Sequence, residues 1–308
     1  MRSAELDPAL SVRVHAAREL RYDRPAESLD DRPDHVRAAS GLAMHNGRLV
    51  VIQDDASFLA VVTADGISAI KLPRGLDGRR RFEVAIGNKL DKLDLESCVA
   101  IDDELWAFGS GSLPIRDKIC RVQHSTPRVL DAAPFYNRLR EALGSSINLE
   151  GAARLGNELW LFHRGNTGVA DVGPAILKVS LDAMRAWLDA RAALPVVDAI
   201  EGFDLGAIGG QRLGFTDAVS HAGQVLYLAA AEGASNAVDD GAILGSQLGV
   251  ITRDSVRAAP VVGLDGKPVK AEGLALDPAR PGWGWVALDP DDPEKPATLL
   301  EIELVGPW

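Results

Sequence analysis

Four acidic residues stand at matching places along the chain, each at the start of a short apolar segment with the character of a strand. They are Glu96, Glu150, Asp217 and Glu272, and a fifth such segment starts at Ser40. Carboxylates gathered around one axis repel one another, so they must be protonated, paired with cations or bound to a metal ion. Oxygen ligands of this kind suit calcium or magnesium. The pattern therefore predicts a calcium or magnesium site formed by these four acids.

Asn148, two residues before Glu150, adds an amide oxygen to the predicted ligand set. A competing interpretation is that these acids only accept hydrogen bonds from the backbone of a neighbouring repeat. A third is that they pair with cations such as Lys92 and Arg164. All three interpretations stay open at the level of the sequence.

Further polar residues follow the second apolar strand of several repeats and are expected at the same end of the molecule as the acids. His163 and Asp54 are candidates for the group that takes a proton from a water molecule. His163 is equally consistent with a hydrogen-bonded structural role, and a serine hydrolase would require it to face Ser110 or Ser112. Cations and short polar side chains would hold an anionic substrate group. The predicted substrate-binding residues are Lys92, Ser110, Ser112, Arg164, Asn166 and Lys270.

The elements that position these residues repeat along the chain. Each copy has a small or acidic residue, a short apolar strand, a tight polar turn and a second apolar strand. The copies begin at residues 40, 96, 150, 217 and 272, at intervals of 54 to 67 residues. Further strands follow each of these hairpins, as in the blades of a β-propeller. The sequence predicts an all-β fold, a five-bladed β-propeller that gathers the acids at one central pocket.

The two ends of the chain support this prediction. The fifth repeat continues with only one more strand, residues 298–304, and residues 11–20 form an isolated strand. Pairing the two would close the ring and remove an exposed sheet edge. Residues 1–308 are thus predicted to form a single domain, with helical insertions near residues 135–144 and 181–192. A segment around Glu201 has the character of an extra strand pair, so a six-bladed ring is the alternative.

Charge and hydropathy exclude several classes of function. The formal net charge is −11, which repels phosphate backbones and anionic lipid and argues against nucleic acid and membrane surfaces as partners. A small-molecule substrate or ligand is expected, and a protein partner is compatible with the composition. No apolar run approaches the ~20 residues that span a bilayer, so we expect a cytoplasmic protein. Cys98 and Cys120 fall in strands separated by a third strand and are expected to be free thiols.

Four short motifs resemble those of bacterial propeller families of unknown function, which are similar to the esterase-like phytase domain. The motifs are K-L-D-L-E at 92–96, G-S-G-S at 109–112, I-N-L-E-G at 147–151 and A-E-G-L-A at 271–275. The resemblance implies a propeller and a metal-dependent hydrolase of esters or phosphoesters. It carries over only Glu96, Glu150 and Glu272, because Ser40 and Asp217 depart from the pattern. Calcium-dependent lactonases are similar in residue type only, through Asn148, Glu150 and Asp217.

Together these observations predict a divalent-metal-dependent hydrolase of a small ester, lactone or phosphoester. The alternative is a non-catalytic propeller that binds a small ligand or a protein partner on the same face, because the propeller fold serves both purposes.

Overall fold

Five antiparallel sheets, or blades, surround a central axis in the computed structural model of the chain. The structure describes residues 1–166, 168, 170–232 and 243–308. Blade 1 contains, from inside to outside, Ala39–His45, Arg48–Gln53, Phe58–Val62 and Ile67–Lys71. Blade 2 contains Leu95–Ile101, Glu104–Gly109, Lys118–Gln123 and Thr126–Asp131. Blade 3 contains Leu149–Leu155, Glu158–His163, Ala175–Ser180 and Ala199–Asp204. Blade 4 contains Gly214–His221, Gln224–Glu232, Ile243–Ile251 and Val256–Val261. Blade 5 contains Ala271–Leu276, Trp283–Leu288, Thr298–Val305 and Ser11–Glu19.

The inner strand of each blade contacts the inner strand of the next, from blade 1 to blade 5 and back to blade 1. Strands near the axis are buried on both faces because a blade packs on each side of them. The second strand of blade 1, Arg48–Gln53, is therefore buried after its first residue, whereas the outer strand Thr126–Asp131 has only exposed and partly buried residues. The predicted five-bladed all-β propeller is confirmed.

Residues near the N-terminus reinforce three blades. Ser11–Glu19 pairs with Thr298–Val305 and completes blade 5, as the sequence predicts. Arg2–Ser3 and Glu5–Leu6 add parallel pairs to the outer edges of blades 3 and 4. The segment around Glu201 belongs to the fourth strand of blade 3, so it does not form a sixth blade.

Two helices, Ala133–Leu143 and Leu181–Leu188, lie where the sequence predicts helical insertions. Their apolar faces join one core cluster with strands of blades 2 and 3, including Phe135, Met184 and Leu161. Shorter elements are the single-turn helices Lys89–Asp91 and Pro114–Arg116 and a small hairpin of Ala207–Ile208 with Gln211–Arg212.

Every inner strand contains a β-bulge near its start. The pairing register skips one residue in each blade, and the skipped residues are Ser40, Glu96, Glu150, Thr216 and Glu272. A bulge leaves its extra residue out of the ladder and redirects the side chain. The repeat therefore places five side chains at one end of the ring through a single backbone device.

The residue after the bulge is glycine in three blades, because the inner strands approach closely there. A Cβ on Gly273 would lie 2.8 Å from Leu42 Cγ and 3.0 Å from the carbonyl carbon of Gly41. A Cβ on Gly151 would lie 3.1 Å from the carbonyl carbon of Asp217. A larger side chain at Gly151 or Gly273 would therefore press on the neighbouring inner strand.

Cys98 and Cys120 are both buried and free, as predicted. Among the described residues, no helix is both long and apolar enough to cross a membrane.

Candidate functional site

A cavity of about 80 Å³, here called the central pocket, opens at the end of the ring where the inner strands begin. Charged side chains of both signs make up most of its wall. The uncharged lining residues are Ala39, Ser40, Leu90, Asn148 and Asn166. The charged lining residues are Asp54, Lys89, Lys92, Asp94, Glu96, Arg116, Glu150, Arg164, Glu232, Lys270, Glu272 and Asp289.

The bulges account for three of the acids. Glu96, Glu150 and Glu272 are bulge residues, and all three line the central pocket. The two hydroxyl residues at the same position bind the next blade. Ser40 Oγ donates to the Leu95 carbonyl oxygen at 2.5 Å, and Thr216 Oγ1 donates to that of Ala271 at 2.6 Å.

Asp217 does not line the central pocket. The sequence analysis matched it with Glu96, Glu150 and Glu272, and that match is wrong. The register assigns the bulge position of blade 4 to Thr216, so Asp217 aligns with Gly41, Gly151 and Gly273 one residue deeper. Its carboxylate is buried and accepts N–H bonds from Leu274 at 2.7 Å, Ala218 at 2.8 Å and Leu42 at 3.4 Å. Burial raises its pKa well above the usual range. Asp217 therefore links blades 4, 5 and 1 through backbone hydrogen bonds.

The first cluster consists of Asp54, Lys92, Asp94, Glu96 and Arg116. Ligand oxygens of the three acids lie within 4.8 Å of one another, a spacing compatible with a metal ion. Two cations already offset part of this negative charge. Lys92 Nζ pairs with Asp54 and lies 2.7 Å from Asp94 Oδ1, while Arg116 lies 2.9 Å from Asp94 Oδ2.

Within the first cluster, the pKa values of two acids shift in opposite directions. Burial would raise the pKa of Asp94, but Lys92 and Arg116 together hold it below its usual value. The pKa of Glu96 is raised well above its usual value by burial and by the neighbouring charges of Asp54 and Glu150. No described residue forms an ion pair or hydrogen bond with the Glu96 carboxylate, and Lys92 lowers its pKa only through its charge. The surroundings of these two neighbouring acids therefore shift the pKa of Glu96 upwards and that of Asp94 downwards.

The second cluster lies across the pocket, on blades 3 to 5. Arg164 contacts Glu150 at 3.3 Å and Glu232 at 2.8 Å. Lys270 lies 3.2 to 3.7 Å from Glu232, Glu272 and Asp289 and 2.6 Å from Asp291. Its members are Glu150, Arg164, Glu232, Lys270, Glu272, Asp289 and Asp291.

Burial raises the pKa of Asp289 to about 8, although Lys270 opposes the shift. Burial likewise raises the pKa values of Glu150 and Glu272. Burial also acts on Glu232, but the charges of Arg164 and Lys270 outweigh it and lower that pKa. Arg164 and Lys270 thus lower the pKa of Glu232 below its usual value, whereas burial prevails at Glu150, Glu272 and Asp289.

His163 does not reach the central pocket, contrary to its predicted catalytic role. The residue is fully buried, and its Nδ1 accepts the Asn148 N–H at 3.0 Å. Asn148 Nδ2 in turn donates to Glu150 Oε1 at 2.7 Å and to Asn166 Oδ1 at 3.0 Å. His163 thus holds a residue that orients Glu150, while Asn148 and Asn166 line the pocket as predicted.

Ser110 and Ser112 lie behind the pocket wall. Ser110 Oγ donates to Asp94 Oδ2, and Ser112 Oγ accepts from Arg116 at 2.6 Å. Neither serine lines the pocket and His163 is bound elsewhere, so these three described residues do not form a serine nucleophile with its base. Lys92, Arg164 and Lys270 do line the pocket, but each is already engaged by carboxylates.

Sequence reasoning missed Arg116, Lys89 and Leu90. Arg116 comes from the single-turn helix Pro114–Arg116 between two strands of blade 2, and the other two from the loop that joins blades 1 and 2. Loop residues of this kind have no periodic signal. The G-S-G-S motif just before Pro114 was the one available indication of an unusual loop.

A second cavity of about 330 Å³, here called the acidic groove, adjoins the central pocket and shares Asp54, Lys89 and Asp289 with it. Arg37 is one of its lining residues and pairs with Asp55 at 2.8 Å and with Glu83 at 2.6 Å. The acidic residues that line the groove are Asp54, Asp55, Glu83, Asp289, Asp291 and Asp292.

The sequence of DUF6929, described as a family of unknown function, matches residues 35–304. No curated protein matches the chain in sequence.

Several solved structures are similar to the chain. The mannose phosphorylase MPT-4 from Leishmania mexicana, in complex with phosphate ion, has a TM-score of 0.51 and 14% identity over 94% of this chain and 89% of its own. Myxococcus xanthus glutaminyl cyclase has a TM-score of 0.48 and 9% identity over 98% of this chain and all of its own. A putative gluconolactonase has a TM-score of 0.43 and 11% identity, over 98% of this chain and 95% of its own. At 14% identity the likeness to the mannose phosphorylase concerns the fold alone.

Proposed function

The chain belongs to the DUF6929 family, whose function is unknown, and we propose that it hydrolyses a small ester, lactone or phosphoester in its central pocket. The observation that carries this proposal is Glu96. Its carboxyl faces the pocket without a bonding partner among the described residues, while Asp54 and Asp94 beside it are paired with cations. A pair of acids whose environments separate their pKa values is the usual basis of acid–base catalysis.

The first cluster provides the groups that such a reaction needs. Protonated Glu96 would donate its proton to the leaving oxygen, and Asp54 would accept a proton from the attacking water. Lys92 and Arg116 would stabilise the negative charge that develops on the carbonyl or phosphoryl oxygen. The resemblance of the motifs around Glu96, Glu150 and Glu272 to the esterase-like phytase domain agrees with this class of reaction.

A calcium or magnesium ion, which the sequence predicts on Glu96, Asn148, Glu150, Asp217 and Glu272, remains part of the proposal, but with a different set of ligands. Asp54, Asp94 and Glu96 have a suitable spacing and offer hard oxygen ligands. Lys92 stands against the fit, because its ammonium group already lies between Asp54 and Asp94. A divalent ion would therefore have to displace Lys92, and no step of the proposed reaction depends on it.

The test is a hydrolysis screen with p-nitrophenyl acetate, p-nitrophenyl phosphate and simple lactones, with and without a chelator. We expect Glu96→Gln to lower kcat by about 10²- to 10⁴-fold, the usual contribution of a proton-transfer group. Glu294→Gln, a matched change at an exposed residue, should leave kcat unchanged. Loss of turnover with chelator, together with calcium binding that Glu96→Gln abolishes, would support the metal-dependent form. Absence of turnover on every substrate class would refute the hydrolase.

The alternative is a non-catalytic propeller that binds a small ligand or a protein partner on this face. The dense ion pairs favour this alternative, because they hold the pocket walls in a fixed arrangement and a preorganised pocket binds a ligand at a lower entropic cost. This function predicts saturable binding that raises the melting temperature by mass action, without turnover.

A further inference from the structure

The second cluster has more negative than positive charge. It contains five carboxylates, Glu150, Glu232, Glu272, Asp289 and Asp291, and two cations, Arg164 and Lys270. With every group ionised, its formal charge is −3 from these residues. The first cluster, by contrast, has three acids for two cations and becomes neutral when Glu96 holds a proton.

This excess of charge is buried. Glu150 and Glu272 are each only 5% exposed. Removing carboxylates from water without matching cations is costly, so a buried excess must be offset by protons or by a positively charged ligand.

Glu272 points to a ligand independently of the charge count. Its Oε1 is buried and accepts no hydrogen bond from any described residue, although Glu272 lines the central pocket. The nearest cation is Lys270, whose Nζ is 3.4 Å away and is shared with three other carboxylates. A buried carboxylate oxygen without a donor is rare in native proteins.

The spacing of these acids disfavours a bare metal ion. Within the part of the chain that the structure describes, the single set of three acids with metal-ligand spacing is Asp54, Asp94 and Glu96. No three carboxylates of the second cluster therefore have the spacing that would let them hold one small ion together. An organic cation, whose N–H groups reach out in several directions, suits a wider arrangement.

The acidic groove, which leads out of the central pocket, also favours a positively charged ligand. It joins the central pocket at Asp289 and is lined by six acids against two cations, Arg37 and Lys89. Arg37 is already held by Asp55 and Glu83. A positively charged chain leaving the pocket would pass along this groove.

We propose that the small molecule bound in the central pocket carries an ammonium or guanidinium group, which donates hydrogen bonds to Glu272 and Asp289. A second positively charged group on the same molecule would lie in the acidic groove. This inference deepens the proposed function, on which it rests for the reaction, but it concerns recognition and is tested by binding alone.

The probes are 1,4-diaminobutane, 4-amino-1-butanol and 1,4-butanediol, which have similar shapes and carry two, one and no positive charges. Binding is measured by calorimetry and thermal melting at pH 7.5 and fixed ionic strength, because salt screens non-specific attraction to an acidic surface. We expect the affinity to fall about tenfold or more for each amine replaced, the factor that corresponds to about 1.4 kcal/mol. The diol should not bind.

Substitutions test which residues form the binding site. Glu272→Gln and Asp289→Asn should each weaken diamine binding about tenfold or more, whereas the exposed control Glu294→Gln should not. Circular dichroism verifies folding, and either of the two site variants suffices if the other fails to fold. Equal binding of the diol, no saturable amine binding at 20 mM, or calcium binding that Glu272→Gln abolishes would each overturn the inference. Glu96→Gln separates the two proposals, since it should lower kcat for hydrolysis as stated above and leave diamine binding intact.

Discussion

Asp217 provides the sharpest test of how the ring is held together. Its carboxylate accepts N–H bonds from three blades at the centre of the propeller, two of them at 2.7 and 2.8 Å and one at 3.4 Å. Asp217→Ala would leave these buried donors without an acceptor. Each unsatisfied buried group costs about 1–3 kcal/mol, and relief of the buried charge offsets part of the sum. We expect a loss of about 3–5 kcal/mol in the free energy of unfolding.

Asp217→Asn retains one carbonyl oxygen, so its expected cost is smaller, about 1–2 kcal/mol. The matched control is Ser97→Ala, because Ser97 occupies the same position of blade 2 and its buried Oγ has no hydrogen-bond partner in the described structure. That change should be nearly neutral.

The assay is equilibrium unfolding in guanidinium chloride, in which the midpoint shifts while the slope stays constant if only stability has changed. Two results would refute the reasoning. One is an Asp217→Ala variant within about 1 kcal/mol of the parent, and the other is a Ser97→Ala variant that loses as much. If Asp217 were a metal ligand instead, Asp217→Asn would remove a calcium-dependent stabilisation, which this account does not expect.

Two further predictions concern the pocket and the axis. Burial raises the pKa of Asp289 to about 8 in the folded protein, which is above its pKa in the unfolded chain. The contribution of Asp289 to stability is therefore complete below about pH 4 and is lost as the pH rises through 8. The melting temperature should therefore fall between pH 5 and 9, and less steeply in Asp289→Asn; parallel profiles would contradict this. Gly273→Ala should cost about 1–3 kcal/mol because its Cβ would press on blade 1. Gly202→Ala, in a strand where a Cβ meets nothing within 4 Å, should be neutral or slightly stabilising by chemical denaturation, and equal losses would contradict the crowding argument.

The sequence predicts the fold well because a propeller repeats one pattern. Five hairpins with apolar strands and an isolated strand at residues 11–20 are visible as residue types, and closure follows from the need to cover a sheet edge. The three glutamates Glu96, Glu150 and Glu272 share the motif position and the bulge, so their convergence is predictable.

What the sequence does not predict depends on register and on loops. Asp217 was matched to the glutamates by charge, although an apolar residue precedes the bulge residue in every blade and Thr216 follows Phe215. That neighbour pattern was the available signal for the one-residue offset. The orientation of His163 away from the pocket and the entry of Arg116 depend on backbone paths between strands, which residue types alone do not determine.

The pairing of Ser11–Glu19 with Thr298–Val305 also determines the order in which the molecule can fold. The two strands lie nearly a whole chain apart in sequence, so blade 5 stays incomplete until the last of its strands has been synthesised. Contacts of such long sequence separation form slowly because the intervening chain must first be organised. Until then the early strand must remain soluble on its own, which fits its mixture of valines with Arg13, His15 and Arg18. We therefore expect ring closure to be the last step of folding and the opening of blade 5 to be the first step of unfolding.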